Sequence, residues 1–232
     1  MKLKVDFHVH TIYSGDSSVT LEAAVQAALE AGLDGLAITD HDSCEALKKL
    51  DKFKDAPVLL LPGVEISSSD GHILALGLEK PVPPGLPAKE TVEEIKRKGG
   101  VAVAAHPLCP FKKSLGEHVL REVRFDAVET LNASTIPVLY SSELKKLSLL
   151  AEELGLPQLG GSDSHTPETI GRAYTVVEVE DASVEEIFEA VRKGKTRPEG
   201  ERIRLQDALN RLGMKLKQKI GRKLGKDLRE EF

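Results

Sequence analysis

Residues 5–11 read Val5-Asp6-Phe7-His8-Val9-His10-Thr11 and end the first apolar run of the chain. Side chains two positions apart on a β-strand point to the same face, roughly 6.5–7 Å from each other. The imidazoles of His8 and His10 therefore share one face at the end of a predicted strand. Two adjacent imidazoles pack poorly in a core, because each ring has a donor and an acceptor that need partners. The pair favours a divalent metal site, with local hydrogen bonding of both rings as the alternative.

Further His and Glu residues follow short apolar runs that are bounded by Gly or Pro. They are His41, Glu65, His106 and His165, which come after residues 35–38, 58–61, 100–103 and 156–159. A short apolar run of this kind is typical of a buried strand that ends in a loop. We therefore expect each of these four side chains to lie at the carboxyl end of a strand.

Segments with helical periodicity separate the apolar runs. They cover residues 21–31, 44–53, 88–98, 138–154 and 184–193. Ser18 or Thr20 is the expected N-cap of the first helix, and Gly32 suits its C-terminal stop. Strand and helix alternate to about residue 194, which predicts a parallel α/β sheet or barrel. In such folds the site forms at the carboxyl ends of the strands, where the candidate ligands fall.

Composition favours one globular domain. The 232 residues are 41% hydrophobic and 30% charged, enough for a core of ordinary size. No apolar stretch approaches the roughly 20 residues that span a bilayer, and the N-terminus lacks a secretory signal pattern. The two cysteines, Cys44 and Cys109, do not suggest a disulfide framework. We therefore expect a cytoplasmic protein without a membrane span.

The end of the chain is basic. Residues 192–232 contain 14 Lys and Arg against 6 Asp and Glu, a net charge of +8, whereas the rest of the chain carries −13. Apolar side chains recur there at spacings of three and four and predict an amphipathic helix of about six to seven turns: Leu205, Leu209, Leu212, Leu216, Ile220, Leu224 and Leu228. We expect residues 196–232 to be a helical extension of a barrel formed by residues 1–195. The extension either packs on the body or a second subunit, or presents its basic face to RNA or an anionic membrane.

More donors accompany the histidines. Asp16 follows His10 on a loop, and Asp163 stands two residues before His165, which mirrors the opening histidine pair. The full set offers at least eight oxygen and nitrogen donors by our count, too many for one tetrahedral zinc. The sequence therefore predicts two or three divalent cations.

These motifs together resemble the PHP family, named for polymerase and histidinol phosphatase. The matching segments stand in family order: Asp6-x-His8-x-His10-Thr11, Thr39-Asp40-His41-Asp42, Gly63-Val64-Glu65, Ala105-His106-Pro107 and Ser162-Asp163-Ser164-His165. The resemblance implies a distorted seven-stranded β/α barrel, a cluster of three divalent metals (Mn, Fe or Zn) and hydrolysis of phosphate esters. Short stand-alone members with Asp at the position of Asp16 resemble nucleotide or oligonucleotide phosphoesterases more than histidinol phosphatases.

The resemblance also implies ligand roles. His8, His10, Glu65 and Asp163 would surround one metal, and Asp16, His41 and His165 a second. Glu65 would bridge to a third metal held by His106. The family usually supplies one more ligand between residues 107 and 162, for which His118 and Asn132 are the candidates. His118 falls within a predicted helix over residues 113–121, whereas Asn132 ends an apolar run.

Several neighbouring side chains are candidates for supporting roles. Asp40 or Asp42 is expected to accept the second imidazole N–H of His41 and to fix its tautomer. His72 heads an apolar segment after Glu65, as either a site residue near the phosphate or an ordinary strand histidine. Arg172 follows the last motif and suits a bidentate phosphate clamp, with an ion pair on the barrel rim as the alternative. Asp6 is expected to orient either His8 or the backbone.

The function expected from this set is metal-dependent phosphoesterase activity, in which water activated by the cations attacks phosphorus. The substrate would be a nucleotide, an oligonucleotide end or a small phosphomonoester. Amidohydrolase barrels also begin with Asp-x-His-x-His, but a C–N hydrolase of that type predicts a bridging lysine, and no Lys ends an inferred strand. A non-catalytic module that binds metal or nucleic acid is the third possibility. The chain has neither a P-loop nor a dinucleotide-binding glycine motif, which argues against ATP-driven or dinucleotide chemistry.

Overall fold

The computed structural model describes residues 1–78, 80–110, 112–135 and 141–202, with the backbone alone at positions 141 and 144. The strands in this part of the chain are β1 Lys2–Val9, β2 Gly35–Ile38, β3 Leu59–Ser67, β4 His72–Leu76, β5 Val101–Ala104, β6 Ala127–Asn132, β7 Gln158–Gly161, β8 Ala173–Glu178 and β9 Thr196–Gly200. The α-helices are α1 Leu21–Glu30, α2 Ala88–Arg97, α3 Gly116–Glu122, α4 Ser141–Glu153 and α5 Val184–Arg192. Short 3₁₀ helices cover Ile12–Ser14, Leu47–Phe53 and Pro167–Thr169.

The strands form one sheet in the order β7-β6-β5-β4-β3-β2-β1-β8-β9. The pairs β1–β2, β2–β3, β5–β6 and β6–β7 are parallel. Strand β4 is antiparallel to both of its neighbours, and β8 is antiparallel to β1 and β9. The described residues therefore form a barrel-like α/β sheet, as predicted in class, but the sheet is mixed rather than parallel and has nine strands in place of seven.

The barrel closes where β7 meets β1 and β8. Gly160 donates its backbone N–H to Thr175 Oγ1 over 2.8 Å, and the same hydroxyl donates back to the Gly160 carbonyl over 3.0 Å. A Cβ at Gly160 would lie 2.5 Å from the Tyr174 carbonyl oxygen, and one at Gly161 would lie 2.6 Å from His8 Cβ. The Gly160-Gly161 pair thus permits the close backbone approach that closes the sheet.

Three apolar clusters account for the core. The barrel interior contains Leu3, Val5 and Phe7 of β1. Helix α5 packs against this cluster through buried side chains such as Ile187. A second cluster packs α2, α3 and α4 on the outer face of β3 to β6. A third packs α1 on the outer face of β1 and β2. Helices outside and strands inside are the layers of an α/β barrel.

Helix boundaries follow local chemistry. Thr20 caps α1 by accepting from the Ala23 N–H, and Gly32 ends the turn with φ of 67°. The predicted α-helix over residues 44–53 is wrong in two respects. The helix is of the 3₁₀ type, and it starts only at Leu47 and runs to Phe53. No side chain caps its first turn, and an uncapped start leaves backbone N–H groups unsatisfied.

The predicted boundary at residue 195 falls inside the sheet. Residues 196–200, assigned to a helical extension, form β9 and pair with β8 from Ala173↔Gly200 to Val177↔Thr196. The leucine stripe of residues 205–228 lies outside the described residues. Within the described ranges, no helix is both long and apolar enough to cross a membrane.

Candidate metal centre

A β-bulge aims the first two histidines into the barrel mouth. Leu3, Val5 and Phe7 point into the barrel interior, whereas Val9 belongs to the outer cluster beneath α1. The switch coincides with a register shift between Asp6 and Val9 in the β1–β2 ladder. Bulges commonly redirect side chains beside functional sites. His8 and His10 are fully buried, and their Nε2 atoms lie 3.1 Å apart.

Five imidazoles surround the carboxylate of Glu65, which is on β3 and 1% exposed. Oε2 lies 3.2 Å from His8 Nε2, 3.1 Å from His10 Nε2 and 3.1 Å from His41 Nδ1, while Oε1 lies 2.9 Å from His72 Nδ1 and 3.0 Å from His106 Nε2. Although burial opposes ionisation, the charge of His8 and hydrogen bonds from His10 and His106 hold the pKa of Glu65 well below its ordinary value. One carboxylate therefore stands at the centre of the site.

A second group of donors lies on the solvent side. Asp16 Oδ2 is 3.0 Å from His165 Nε2 and 3.9 Å from His41 Nε2. Ser14 Oγ lies 3.2 Å from His10 Nδ1, which leaves His10 Nε2 directed at Glu65. The loop of residues 11–18 is thus folded over the strand end and brings Asp16 to the site.

Asp163 joins the two groups. Its Oδ1 is 3.4 Å from His10 Nε2, 3.7 Å from His165 Nδ1 and 3.8 Å from His8 Nε2. Its Oδ2 accepts from Asn132 Nδ2 at 3.0 Å and also contacts Lys112 Nζ. One oxygen therefore faces the imidazoles, and the other faces amide and ammonium donors.

Asn132 reaches the site, but through its amide nitrogen. Nδ2 donates to Glu129 Oε2 and Asp163 Oδ2, both at 3.0 Å, while Oδ1 accepts from the Ser134 hydroxyl at 2.9 Å. The amide oxygen, the atom a metal would use, is therefore engaged with Ser134. The other candidate, His118, lies on α3 with its side chain 80% exposed and pairs with Glu122 at 3.2 Å, so the structure does not bring it to the site.

Glu129 was missed by the sequence analysis. Its Oε1 lies 2.9 Å from His8 Nδ1, and its Oε2 accepts the His106 backbone N–H at 2.8 Å. A carboxylate on one ring nitrogen fixes the tautomer and leaves the other nitrogen free to bind metal. The available signal was a glutamate inside the apolar run of β6, where a buried charge needs a partner.

Strand direction explains the place of His72. The sequence predicts ligands at strand ends, yet His72 is the first residue of β4. Because β4 is antiparallel to β3, its start lies beside Ser67, at the same edge as Glu65. The site interpretation of His72 thus agrees with its 2.9 Å approach to Glu65.

The predicted role of Asp40 or Asp42 toward the His41 ring is wrong. Asp40 accepts from the Thr11 backbone N–H at 2.5 Å and the Thr11 hydroxyl at 2.7 Å. Asp42 accepts from the Ser67 backbone N–H at 2.7 Å. Both carboxylates therefore bind backbone N–H groups rather than the His41 ring, because N–H groups at the strand ends need an acceptor.

Asp6 orients the backbone. It is fully buried and accepts from the N–H groups of His8 at 3.2 Å, Ser162 at 2.9 Å and Gly171 at 3.0 Å. These three contacts join β1, the end of β7 and the segment that enters β8. Asp6 therefore holds together the strand ends that carry the site.

Arg172 precedes β8 at the rim. Its backbone N–H donates to the Thr169 carbonyl at 3.3 Å, and its carbonyl accepts from the Glu201 N–H at 2.6 Å. A phosphate clamp by its side chain stays a prediction.

Backbone strain concentrates at the same rim. In the described ranges, the non-glycine residues with positive φ are Asp42 (50°), His106 (31°) and Asp163 (52°). Such conformations cost on the order of 1–3 kcal/mol each and persist where the surroundings enforce them, commonly at functional sites. Two of the three are predicted metal ligands.

The donor set fits divalent metals. Four groups have ligand atoms within 4.8 Å of one another: His10, Asp16, His41 and His165; His8, His106 and Asp163; His8, His10 and Glu65; and His41, Glu65 and His72. Nitrogen and carboxylate oxygen donors of this kind suit Mn, Fe or Zn. The buried Nδ1 atom of His106 makes no hydrogen bond in the described residues, as expected of a ring shaped to bind a cation. The predicted ligands other than Asn132 thus converge, with His72 added.

Metal binding is expected to release a proton from His8. Burial opposes protonation of this ring, but the charges of Glu129 and Glu65 outweigh it and raise the pKa of His8 to about 10. At neutral pH a cation must therefore displace that proton, and raising the pH favours binding. We expect the apparent Mn²⁺ affinity of metal-free protein to rise by up to about tenfold per pH unit between about pH 6 and 8.

Calorimetric titration of Mn²⁺ in buffers of different ionisation enthalpy measures this release. Glu129→Gln removes one of the two charges that hold the proton, so its proton release at neutral pH is expected to be smaller. An affinity independent of pH, with no dependence of heat on the buffer, would contradict the assignment.

Comparison with known proteins agrees with the geometry. A family model described as PHP-associated matches residues 144–196. An uncharacterised protein of Methanocaldococcus jannaschii is 36% identical over 144 residues, which are 56% of this chain and 82% of that protein. A probable phosphatase of Shewanella piezotolerans is 30% identical over 213 residues, which are 78% of this chain and 86% of that protein.

A solved structure has a similar fold. It is a two-domain protein of Bacteroides vulgatus that contains a predicted PHP-like metal-dependent phosphoesterase, and it superposes with a TM-score of 0.69 at 20% identity. The match covers 87% of this chain and 65% of that longer protein. The chain belongs to the PHP family of metal-dependent phosphoesterases, as its motif order, the cluster around Glu65 and its two relatives together show.

Proposed function

We propose that this chain uses two or three divalent cations to hydrolyse the phosphate ester of a nucleotide, an oligonucleotide end or a small phosphomonoester. The observation that carries the proposal is the set of five imidazoles around the single buried carboxylate of Glu65. Desolvating so many polar rings and a carboxylate is costly without a tightly bound ion. A fixed cluster of this kind is better explained by bound cations than by structure alone.

The protein's own residues position the chemistry. Glu129 orients His8, Ser14 orients His10, and Asp6 fixes the strand ends beneath them. When bound, divalent cations supply positive charge to phosphate oxygens and activate water for attack. Phosphoryl transfer needs little more than positioning and charge stabilisation from the protein. The loop that carries Asp16 leaves this carboxylate partly exposed, at 42%, so a substrate has access from that side.

The C–N hydrolase alternative receives less support. That chemistry predicts a lysine that bridges two cations, and no Lys ends a strand inferred from the sequence. Lys112 does enter the site, from the loop between β5 and α3, but its ammonium group contacts Asp163 Oδ2, the oxygen that faces away from the imidazoles. The similarity to a probable phosphatase of Shewanella piezotolerans also favours ester hydrolysis.

A substrate panel tests the proposal. Chelator-stripped protein is reloaded separately with Mn²⁺, Fe²⁺ or Zn²⁺, and metal content is measured before each assay. We expect phosphate release or nucleotide products from at least one of nitrophenyl phosphates, nucleoside monophosphates, nucleoside bisphosphates and 5′-phosphorylated oligonucleotides. His118→Ala is the matched histidine control and is expected to retain full activity. Full metal occupancy without turnover of any ester would refute the proposal, and turnover of amides alone would favour the alternative.

We further propose that the basic C-terminal segment, residues 203–232, contacts nucleic acid that carries the substrate phosphate. Gly200 ends β9 beside Ala173, and the Glu201 N–H donates to the Arg172 carbonyl. Because β8 is antiparallel to β1, its first residues lie toward the end of the barrel where β1 delivers His8 and His10. The described chain therefore leaves β9 near the mouth of the site, just before residues 203–232.

Truncation after residue 202 tests this contact. We expect the truncated protein to keep turnover of a small phosphomonoester but to bind 5′-phosphorylated RNA at least about tenfold more weakly, with a shallower salt dependence. Fluorescence anisotropy across a salt series measures both quantities. Unchanged RNA affinity would exclude the contact, and loss of soluble protein would show that the segment completes the core instead.

A further inference from the structure

Lys112 lies on a loop that is held firmly against the barrel mouth. The loop begins just after β5, and near its start the Cys109 N–H donates to the His106 carbonyl at 3.0 Å. Ser114 Oγ donates to the His106 and Cys109 carbonyls at 3.0 and 2.6 Å. The Lys113 carbonyl accepts the His72 N–H at 3.1 Å. The backbone on both sides of Lys112 is thus tied to residues of the metal centre.

The ammonium group of Lys112 reaches the cluster. It contacts Asp163 Oδ2, the oxygen that faces away from the imidazoles, and the side chain is 23% exposed. After the larger effect of burial, its charge helps to lower the pKa of His106 and of His165, each to about 4. Lys112 therefore lies close to both groups of donors while remaining accessible from solvent.

A lysine beside a site for several cations needs an explanation. Like charges repel, and Asp163 belongs to the donor set that would hold cations. The positive charge at this place is stabilised if an anion binds between the ammonium group and the cations. Lysine is a common phosphate ligand, as a flexible point charge with three donors.

We infer that Lys112 binds an oxygen of the substrate's phosphate group at the edge of the metal centre, and that in metal-free protein its ammonium group takes a cation's place on Asp163. The inference rests on the proposed function and adds a substrate-binding residue to it. The four-carbon stem allows the ammonium group to move from the carboxylate to a phosphate without a change in the anchored backbone. Lys112 then selects for anionic phosphate groups at the mouth.

Lys112→Met tests both parts, because methionine keeps the length of the stem and removes the charge. We expect the Mn²⁺ affinity of stripped protein to rise about three- to tenfold, since the competing charge is gone. We expect the affinity of Mn²⁺-loaded protein for inorganic phosphate to fall about tenfold or more, with a matching rise in KM for an ester. Calorimetry measures the two affinities without any assay of turnover.

Lys113→Met is the matched control, since its side chain is exposed on the same loop. It is expected to leave both affinities unchanged, and Lys112→Gln is expected to reproduce the effects of Lys112→Met. Phosphate affinity equal to that of the wild type in both Lys112 variants would overturn the inference, as would weaker Mn²⁺ binding. If the wild-type protein hydrolyses no ester, the proposed function fails; if it does and the variants match it, the role of Lys112 alone fails.

Discussion

Glu65→Gln is expected to strip the protein of most of its divalent metal and to lower kcat/KM more than about 100-fold. Loss of a residue that merely orients a metal ligand typically costs about 10–100-fold, and Glu65 is in direct contact with five imidazoles. Glutamine is nearly isosteric but neutral, and its amide places two N–H donors among those nitrogens. The change therefore removes the charge at the centre of the site with little change in shape.

Metal content by plasma mass spectrometry and steady-state kinetics measure the two effects. Glu178→Gln is the matched control, because Glu178 is 59% exposed and pairs with Lys2 across β1 and β8. A surface pair of this kind contributes little, so metal content and activity should stay at wild-type values. A Glu65→Gln protein with full metal content would show that Glu65 is not a ligand.

Asp6→Ala is expected to lower the free energy of unfolding by about 3 kcal/mol or more. Three backbone N–H groups lose their acceptor: those of His8 and Ser162 are buried, and that of Gly171 is partly buried. Each unsatisfied buried donor costs about 1–3 kcal/mol. The loss also loosens the junction of β1, β7 and β8, so weaker metal binding should accompany it.

Urea denaturation of metal-free protein measures this loss without the contribution of bound cations. Asp34→Ala is the control: its exposed carboxylate accepts a single backbone N–H, from Lys4 at 2.7 Å. We expect this control to lose less than about 1 kcal/mol. Equal losses for both variants would show that the contacts of Asp6 carry no special weight.

Spacing and strand ends predicted most of the centre from sequence. His8, His10, His41, Glu65, His106 and His165 each follow an apolar run, and the parallel strands bring those ends to one edge. The same rule failed for β4 and β8, which are antiparallel. The first residues of these strands, not their last, lie at the edge with the site. The sequence therefore marked His72 as a candidate but did not predict its position beside Glu65.

Other features depended on tertiary contacts that no local pattern reveals. Glu129 and Lys112 act through His8 and Asp163, which are more than 50 residues away in the chain. Asp40 and Asp42 stand beside His41 in sequence, yet the backbone turns both carboxylates toward N–H groups at the strand ends, those of Thr11 and Ser67. Adjacency in the chain is a weak guide to contact where the backbone turns sharply, as the positive φ of Asp42 shows.

Closure of the barrel was equally hidden. The Gly160-Gly161 pair was visible as a strand boundary, but its function is to let β7 pack against β1 and β8. Side-chain hydrogen bonds through Thr175 and Asp6 complete that contact. Periodicity predicts strands and their direction of burial, whereas it carries no information about which edges meet.

Anomalous scattering at the manganese edge, from crystals of the Mn²⁺-loaded protein, tests most directly whether distant donors form one multinuclear centre. We expect at least two peaks within coordination distance of Glu65 or Asp163, separated by roughly 3.5–4 Å as in other two-metal sites. A well-ordered crystal with no peak beside Glu65, or with manganese bound only at surface carboxylates, would contradict the proposed multinuclear centre.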